Sequence, residues 1–151
     1  MKQQLSAAFA IMAALSFTVW ADGGTVDTML SAYLWKNRPL ILFSPSPENP
    51  SFISALNGLS KRMEHATDRH MVIIEVLGNG DVRRGGKLDH QHDADALRRR
   101  FSVPKGELTA VLIGKDGSVK LRQSGNVDWD EIFALIDTMP MRQREMRNGK
   151  D

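Results

Sequence analysis

Two short apolar runs, at residues 40–43 and 71–77, constrain the fold of this chain more than any other feature. Each run is too short for a buried helix, and a continuous apolar run is typical of a strand that is covered on both faces. Between them, Asn49 followed by Pro50 has the pattern of a helix N-cap and first helical residue. Apolar residues then recur at helical spacing as far as Met63. The order strand, helix, strand predicts a parallel pair joined by a crossover helix.

The second half of the chain predicts a hairpin followed by a helix. Residues 110–113 form another apolar run, an Asp-Gly turn follows, and residues 119–122 alternate apolar with charged side chains. This pattern is typical of an antiparallel hairpin whose second strand has one exposed face. Asp128 and Glu131 then have the spacing of a capping box ahead of an apolar helical stripe.

The remaining segments complete the predicted architecture. Apolar spacing predicts a short helix within residues 27–36, and Asp93 or Asp95 can cap another ahead of Phe101. Residues 78–92, rich in Gly, Asp, Arg and His, are interpreted as one long loop. Together these elements predict an α/β fold, a three-layer α/β/α sandwich around a mixed central sheet of about four strands.

The first 21 residues have the pattern of a secretory signal peptide. Lys2 is followed by an apolar stretch over residues 5–19, and the segment ends with a small residue, Ala21. We expect cleavage after Ala21 and an exported protein, periplasmic or secreted. An uncleaved membrane anchor is the competing interpretation, because residues 3–21 carry no charge. The mature domain is expected to span residues 22–147, with 148–151 as a flexible tail.

The chain contains no cysteine, and this absence excludes several classes of chemistry. Disulfides, thiolate nucleophiles, iron–sulfur clusters and Cys-x-x-Cys redox pairs all require cysteine sulfur. Lys and Arg total 20 against 18 Asp and Glu, so the formal charge of +2 does not predict a nucleic-acid partner. No motif calls for a cofactor, and after signal cleavage none predicts a membrane partner.

Three segments carry a resemblance to a known family. They are residues 33–38 (Tyr-Leu-Trp-Lys-Asn-Arg), residues 112–122 with their Lys-Asp-Gly turn, and residues 136–146. Over about residues 28–147 the chain resembles domain-of-unknown-function family 4174, a thioredoxin-like, peroxiredoxin-related family. The resemblance implies a thioredoxin-like fold of the kind found in secreted bacterial proteins and in some animal extracellular matrix proteins. No reaction is established for the family, so the resemblance implies architecture and not activity.

The thioredoxin-like resemblance also implies where a ligand would bind. Thioredoxins hold their redox cysteines after the first central strand, at a helix N-terminus, and residues 48–51 of this chain, Glu-Asn-Pro-Ser, fall at that place. We predict a redox-inactive domain that binds an unknown protein or small ligand there, with no catalytic residue. The predicted binding residues are Ser46, Glu48, Asn49 and Ser51. The cis-proline of thioredoxins would fall near residues 108–109, where this chain has no proline.

A second candidate site lies in the polar loop ahead of the short helix. His90, His92 and Asp93 are residue types that bind zinc, copper or nickel, although a solvated loop has the same composition. A non-thiol enzyme would need this loop to meet Glu48 or Ser51 in one pocket. Metal binding and non-thiol catalysis are therefore kept as alternatives to a binding domain.

Two charged features carry structural expectations. Glu75 interrupts the apolar run at 71–77, so a neighbouring Arg or Lys is expected beside it. Residues 98–100, three consecutive arginines, are interpreted as the solvated face of a helix, although Arg can also clamp a partner.

Overall fold

The two apolar runs form neighbouring strands at the centre of a single sheet. A computed structural model describes residues 22–149 of the chain, so the predicted signal segment and its cleavage site lie outside the described residues. In chain order the elements are α1 (Asp22–Ser31), β1 (Arg38–Ser44), α2 (Pro50–Ser60), α3 (Met63–Asp68), β2 (Met71–Leu77), β3 (Val82–Arg84), β4 (Lys87–Leu88), α4 (Ala94–Phe101), β5 (Thr109–Ile113), β6 (Val119–Ser124), α5 (Trp129–Asp137) and α6 (Pro140–Asn148).

The sheet is mixed, as the sequence predicts. Its strand order is β4-β3-β2-β1-β5-β6. Strands β1 and β2 are parallel and are joined through α2 and α3, whereas the other neighbouring pairs are antiparallel. Phe43, near the end of β1, lies between Val76 of β2 and Thr109 of β5. The chain therefore leaves the carboxyl end of β1 with a paired strand on either side.

Strand β1 is buried on both faces because helices cover both sides of the sheet. Leu40 and Leu42 point into one apolar cluster with α2, α3 and α5, and Ile41 and Phe43 point into another with α1 and α4. This division follows from the alternation of side chains along a strand. The uninterrupted apolar sequence of β1 is thus explained by two cores that share one strand.

The sheet has six strands, so the prediction of about four was wrong. The error lies in residues 78–92, which hold β3 and β4 and are not one long loop. Val82 is fully buried and extends the core beyond β2, and Gly85 and Gly86 both take positive φ in the turn of the small hairpin. These strands have three and two residues, too few for an alternating pattern to be visible in the sequence.

The small hairpin also supplies the cation expected beside Glu75. Arg83 lies directly opposite Glu75 in the register of β2 and β3. Burial raises the pKa of Glu75 above its ordinary value, and the positive charge of Arg83 opposes this rise without cancelling it. The expected neighbouring cation is therefore present as a cross-strand residue.

Three helix boundaries differ from the sequence expectation. Helix α1 ends at Ser31 and is followed by turns in which Trp35 takes a φ of 63°. The apolar stripe was predicted to reach Met63, but helix α2 ends at Ser60, and Met63 is half-exposed at the start of α3. Helix α6 reaches Asn148, inside the segment expected to be a tail. No helix within residues 22–149 is both long and apolar enough to cross a membrane.

The loop between β1 and α2 packs directly onto the end of β2 at Gly78. A Cβ placed on Gly78 would lie 1.8 Å from the carbonyl oxygen of Pro45 and 2.7 Å from its carbonyl carbon. Both atoms belong to the backbone, so no flexible side chain could move aside. Glycine is required here because two backbone segments approach closely, and this approach fixes the loop against the sheet.

We expect Gly78→Ala to destabilise the fold by about 1–3 kcal/mol, because the added methyl group overlaps Pro45. Gly106→Ala is the matched control, since a Cβ at Gly106 would meet no atom within 4 Å. That control should change stability by less than about 1 kcal/mol. Urea unfolding of both variants measures the difference, and equal losses would contradict the close approach.

Candidate functional site

The loop that follows β1 is held in one conformation by its own hydrogen bonds. The buried Ser44 hydroxyl donates to the carbonyl oxygen of Ser46 at 2.7 Å. The side-chain oxygen of Asn49 accepts from the backbone N–H of Phe52 at 3.0 Å, and Pro50 opens α2. The predicted cap and helix start are thereby confirmed. The structure places the loop at the carboxyl end of β1, where the sequence analysis expected it.

The four predicted binding residues have different roles in this loop. Asn49 caps the helix with its side chain, whereas Ser46 takes part through its backbone carbonyl oxygen. The carboxylate of Glu48 is exposed, and Ser46 and Ser51 are both half-buried. The side chains of Ser46, Glu48 and Ser51 are therefore at the surface of the loop.

A buried arginine lies beneath this loop. Arg98 is 4% exposed and donates from Nη2 to the carbonyl oxygens of Ser44 at 2.7 Å and Val76 at 3.3 Å. Its Nη1 donates to the carbonyl oxygen of Pro104 at 3.1 Å. Burial lowers the pKa of Arg98, but a guanidinium stays charged inside proteins. Arg98 therefore joins the carboxyl ends of β1 and β2 to the segment after α4.

The interpretation of residues 98–100 as a solvated face was wrong for Arg98. Its guanidinium lies 5.6 Å from the centre of the Phe43 ring, inside the core. Arg100 remains exposed and pairs with Asp27 at 3.0 Å. Helical geometry separates consecutive residues by about 100°, so one of three adjacent arginines faces inward. The sequence signal for this was the spacing of Arg98 from the buried Ala94, four residues earlier.

The predicted metal-ligating residues are not brought together. His92 Nδ1 lies 2.8 Å from the carboxylate of Asp89, His90 is exposed, and Asp93 caps α4 by accepting from the N–H of Asp95. Among residues 22–149 no three His, Asp or Glu side chains form a group suited to a metal ion. In the same part of the chain no hydrogen bond joins His90 or His92 to Glu48 or Ser51.

Asp89 is the residue on which this loop depends, and the sequence analysis did not single it out from its neighbours. Its buried carboxylate also accepts from Arg84 Nε at 2.7 Å and from the backbone N–H of Gln91 at 3.0 Å. Burial alone would raise the pKa of Asp89. Hydrogen bonds from Gln91 and His92, and the charges of His92 and Arg84, outweigh burial and lower it.

A second polar cluster, which the sequence analysis missed, lies at the amino end of β1. Arg38 is 1% exposed and donates to both carboxylate oxygens of Glu145, at 3.1 and 3.2 Å. The buried Lys115 donates to Glu145 at 2.7 Å, and its Nζ lies 2.7 Å from Nδ1 of His70. We call Arg38, His70, Lys115 and Glu145 the basal cluster. Burial acts to raise the pKa of Glu145, but Arg38 and Lys115 outweigh it and lower that pKa.

The basal cluster unites the three segments that carry the family resemblance. Arg38 closes the first segment, Lys115 lies in the hairpin turn of the second, and Glu145 lies near the end of the third. The backbone N–H of Trp35, in the first segment, also donates to the carbonyl oxygen of Lys115 at 2.7 Å. The sequence did contain a signal for this cluster, because each of the three segments that resemble the family holds one of its charged residues. Their spacing along the chain did not indicate that these residues meet.

Replacing the buried arginine should cost far more stability than replacing a surface arginine of the same helix. We expect Arg98→Met to destabilise by about 2–4 kcal/mol, because the carbonyls of Ser44, Val76 and Pro104 lose their donors. Arg100→Met, which breaks an exposed ion pair, should cost less than about 1 kcal/mol. Urea unfolding provides the measurement. A similar loss in both variants would show that the buried hydrogen bonds contribute nothing.

The stabilisation by Asp89 should depend on pH. The folded state lowers its pKa, so the stabilisation is complete above the ordinary value of about 4 and is lost as pH falls through the lower folded-state pKa. At pH 7, Asp89→Asn should destabilise by about 1–3 kcal/mol. Urea unfolding in more acidic buffer should give a smaller difference from wild type. Asp93→Asn, which keeps a capping side chain, should be nearly neutral throughout. A difference for Asp89→Asn that does not change with pH would contradict the carboxylate's role.

Comparisons with known proteins agree with the resemblance found in the sequence. The family model described as "Domain of unknown function (DUF4174)" matches residues 29–145. The chain is 30% identical over 125 residues to the Sushi repeat-containing protein SRPX of Homo sapiens, covering 81% of this chain and 27% of that protein. It is 28% identical over 121 residues to the Sushi repeat-containing protein SRPX2 of Bos taurus, covering 78% of this chain and 26% of that protein. It is 24% identical over 139 residues to the Coiled-coil domain-containing protein 80 of Danio rerio, covering 81% and 16%.

The chain thus spans about a quarter or less of the length of these relatives. No solved structure matches it. The family match begins before Arg38 and ends at Glu145, so it includes the whole basal cluster. Because the match covers most of its length, the chain belongs to the DUF4174 family.

Proposed function

We propose that this chain is an exported, redox-inactive domain of thioredoxin-like architecture that binds a protein partner through the surface of the β1–α2 loop. The observation that carries the proposal is the position of residues 48–51. They lie at the carboxyl end of a central parallel strand and at the start of a helix, in a chain without cysteine.

The strand and helix order supports the thioredoxin-like architecture. A strand–helix–strand unit is followed by a helix, a hairpin and a further helix, which is the layout of that fold. The four longer strands lie in the order β2-β1-β5-β6, with β5 antiparallel to β1. Helices contribute to the apolar clusters on both faces. Strands β3 and β4 are then an added hairpin at one edge.

The location of the loop supports a binding role. In open α/β sheets, ligands bind beyond the carboxyl ends of the parallel strands. Arg98 and Gly78 both fix the loop at that end, one by hydrogen bonds and the other by close packing. A surface held in one conformation loses little entropy on binding. The loop is therefore suited to recognition without any thiol chemistry.

The residues beside the loop favour a protein partner over a small ligand. Ile53, on the first turns of α2, is 44% exposed, and Pro50 next to the loop is also exposed. Exposed apolar side chains next to a carboxylate, Glu48, provide the mixed apolar and polar surface that protein interfaces use. The signal-like pattern of residues 1–21 supports export, which would bring the domain to partners outside the cytoplasm.

The alternatives gain no support from the described geometry. A metal-binding protein would need His90, His92 and Asp93 to converge on one ion. His92 instead contacts Asp89, and Asp93 caps α4. A non-thiol enzyme would need a base within reach of Ser51, and His92 is engaged by Asp89.

Position-specific photo-crosslinking in the exporting cell tests the proposal. A photoreactive amino acid at Glu48 or Ile53 should yield a discrete protein adduct. The same amino acid at Val119 is the matched control. The exposed fraction of Val119, 47%, is similar to that of Ile53, but Val119 lies in the edge strand β6. Adduct from positions 48 and 53 and none from 119 is the expected result.

Equal adducts from all three positions, or adduct from position 119 alone, would overturn the proposed surface. Absence of any adduct would overturn the proposal of a protein partner. A parallel assay of insulin disulfide reduction by the purified protein should show no turnover, since no cysteine is available. Turnover above the rate without protein would contradict the redox-inactive assignment.

A further inference from the structure

We propose that a small cavity beside the basal cluster binds a small oxyanion, either a carboxylate or a tetrahedral oxyanion such as phosphate or sulfate. The cavity has a volume of about 80 Å³, enough for an anion of this size. Its walls come from β1, from the hairpin turn between β5 and β6, and from the first turn of α6. Its charged lining residues are Arg38, Lys115, Asp116 and Lys120.

The charges around the cavity do not balance. Lys120 pairs with Asp116 at 2.7 Å, which leaves Arg38 and Lys115 to share the single carboxylate of Glu145. The contact between Lys115 and His70 adds no negative charge. Three cations thus face two carboxylates, and the two that share one carboxylate are more than nine-tenths buried. Because a buried charge is costly unless it is paired, the excess cation favours an anion.

The wider ion-pair network does not supply the missing negative charge. Arg142 pairs with Asp68 and Asp137, and Arg69 pairs with Asp137 at 2.6 Å. These two arginines and two aspartates balance one another. Arg142 also lies 3.8 Å from Glu145, so it adds to the demand on that carboxylate. The excess positive charge therefore stays at the cavity.

Hydrogen-bond donors at the cavity are also incompletely used. Lys115 uses two of its three N–H donors, on Glu145 and His70. Met139 precedes α6 without a side-chain cap, and Pro140 and Met141, its first residues, line the cavity. The uncapped start of this nine-residue helix adds a favourable field for an anion to the excess cation.

This site is separate from the surface proposed for the partner. Arg38 begins β1 and Ser44 ends it, so the two sites lie at opposite ends of the strand, about 20 Å apart. Loss of one should leave the other intact.

Nitrogen-15 NMR titration of the purified protein tests the proposal. Phosphate, sulfate and acetate are added separately at constant ionic strength, with chloride as the reference anion. An oxyanion should shift the amide signals of Gly114, Lys115 and Met141, and should saturate. Saturable shifts with phosphate and sulfate but not with acetate would identify a tetrahedral oxyanion as the ligand, and saturable shifts with acetate alone would identify a carboxylate.

Two variants place the site at the cavity. Lys120→Gln should weaken binding at least about tenfold, because two cations then face two carboxylates, and Lys115→Met should abolish it, because it removes a buried donor as well as the excess charge. Arg62→Gln is the matched control, since Arg62 is 35% exposed, like Lys120 at 31%, and pairs with Asp130 away from the cavity. Its affinity should equal that of wild type.

Shifts that are the same with chloride, or that occur away from the cavity, would overturn the proposal. So would wild-type affinity in Lys120→Gln. If Lys115→Met does not fold, Lys120→Gln alone decides, because its side chain lies at the surface and its loss leaves the basal cluster in place.

Discussion

The fold depends on the complete burial of β1. All seven residues of this strand are buried, with apolar side chains filling a core on each face. A strand in this position cannot satisfy polar groups with water at its ends, so the protein must provide partners. It does so with two arginines. Arg38 begins the strand and pairs with Glu145, and Arg98 donates to the carbonyl oxygen of Ser44 where the strand ends. Removing the charge of Arg38 or Arg98 would leave buried polar groups without hydrogen-bond partners.

These two ends have different chemical characters. At the carboxyl end the hydrogen bonds of the Arg98 guanidinium all go to backbone oxygens, so this cation shapes the loop. At the amino end Arg38 and Lys115 share the single carboxylate of Glu145, which comes from a distant part of the chain, so positive charge is in excess there. The family match includes both ends. The relatives are several times longer than this chain, so the matched region is only a part of each of them.

The fold was largely predictable because its signals are local. The runs that become β1 and β2, the Asn49 cap and the Asp-Gly hairpin each depend on neighbours in sequence, and each is where it was expected. The β3–β4 hairpin was missed because strands of two or three residues have no period to detect. The early end of α1 was missed because a left-handed Trp35 has no sequence signature.

The candidate sites were less predictable, for a physical reason. The loop at residues 48–51 could be located because helix capping is local, and its place after a central strand followed from the resemblance. The role of Arg98 depends on carbonyls 22 and 54 positions away, and sequence periodicity carries no information about such contacts. The basal cluster depends on the meeting of three segments, so its charged residues read as ordinary surface until the topology is known.

The pairing of Arg38 with Glu145 also bears on how the chain folds. The two residues are 107 positions apart, and ribosomes release chains amino end first. The Glu145 carboxylate therefore reaches Arg38 and Lys115 only after α6 has been made, whereas β1 and β2 need only the residues from Arg38 to Leu77 in order to pair. Contacts of such long range close late and slow folding. The central strand pair can thus assemble early, while Arg38 at its amino end stays hydrated until α6, the last helix of the described chain, packs against it.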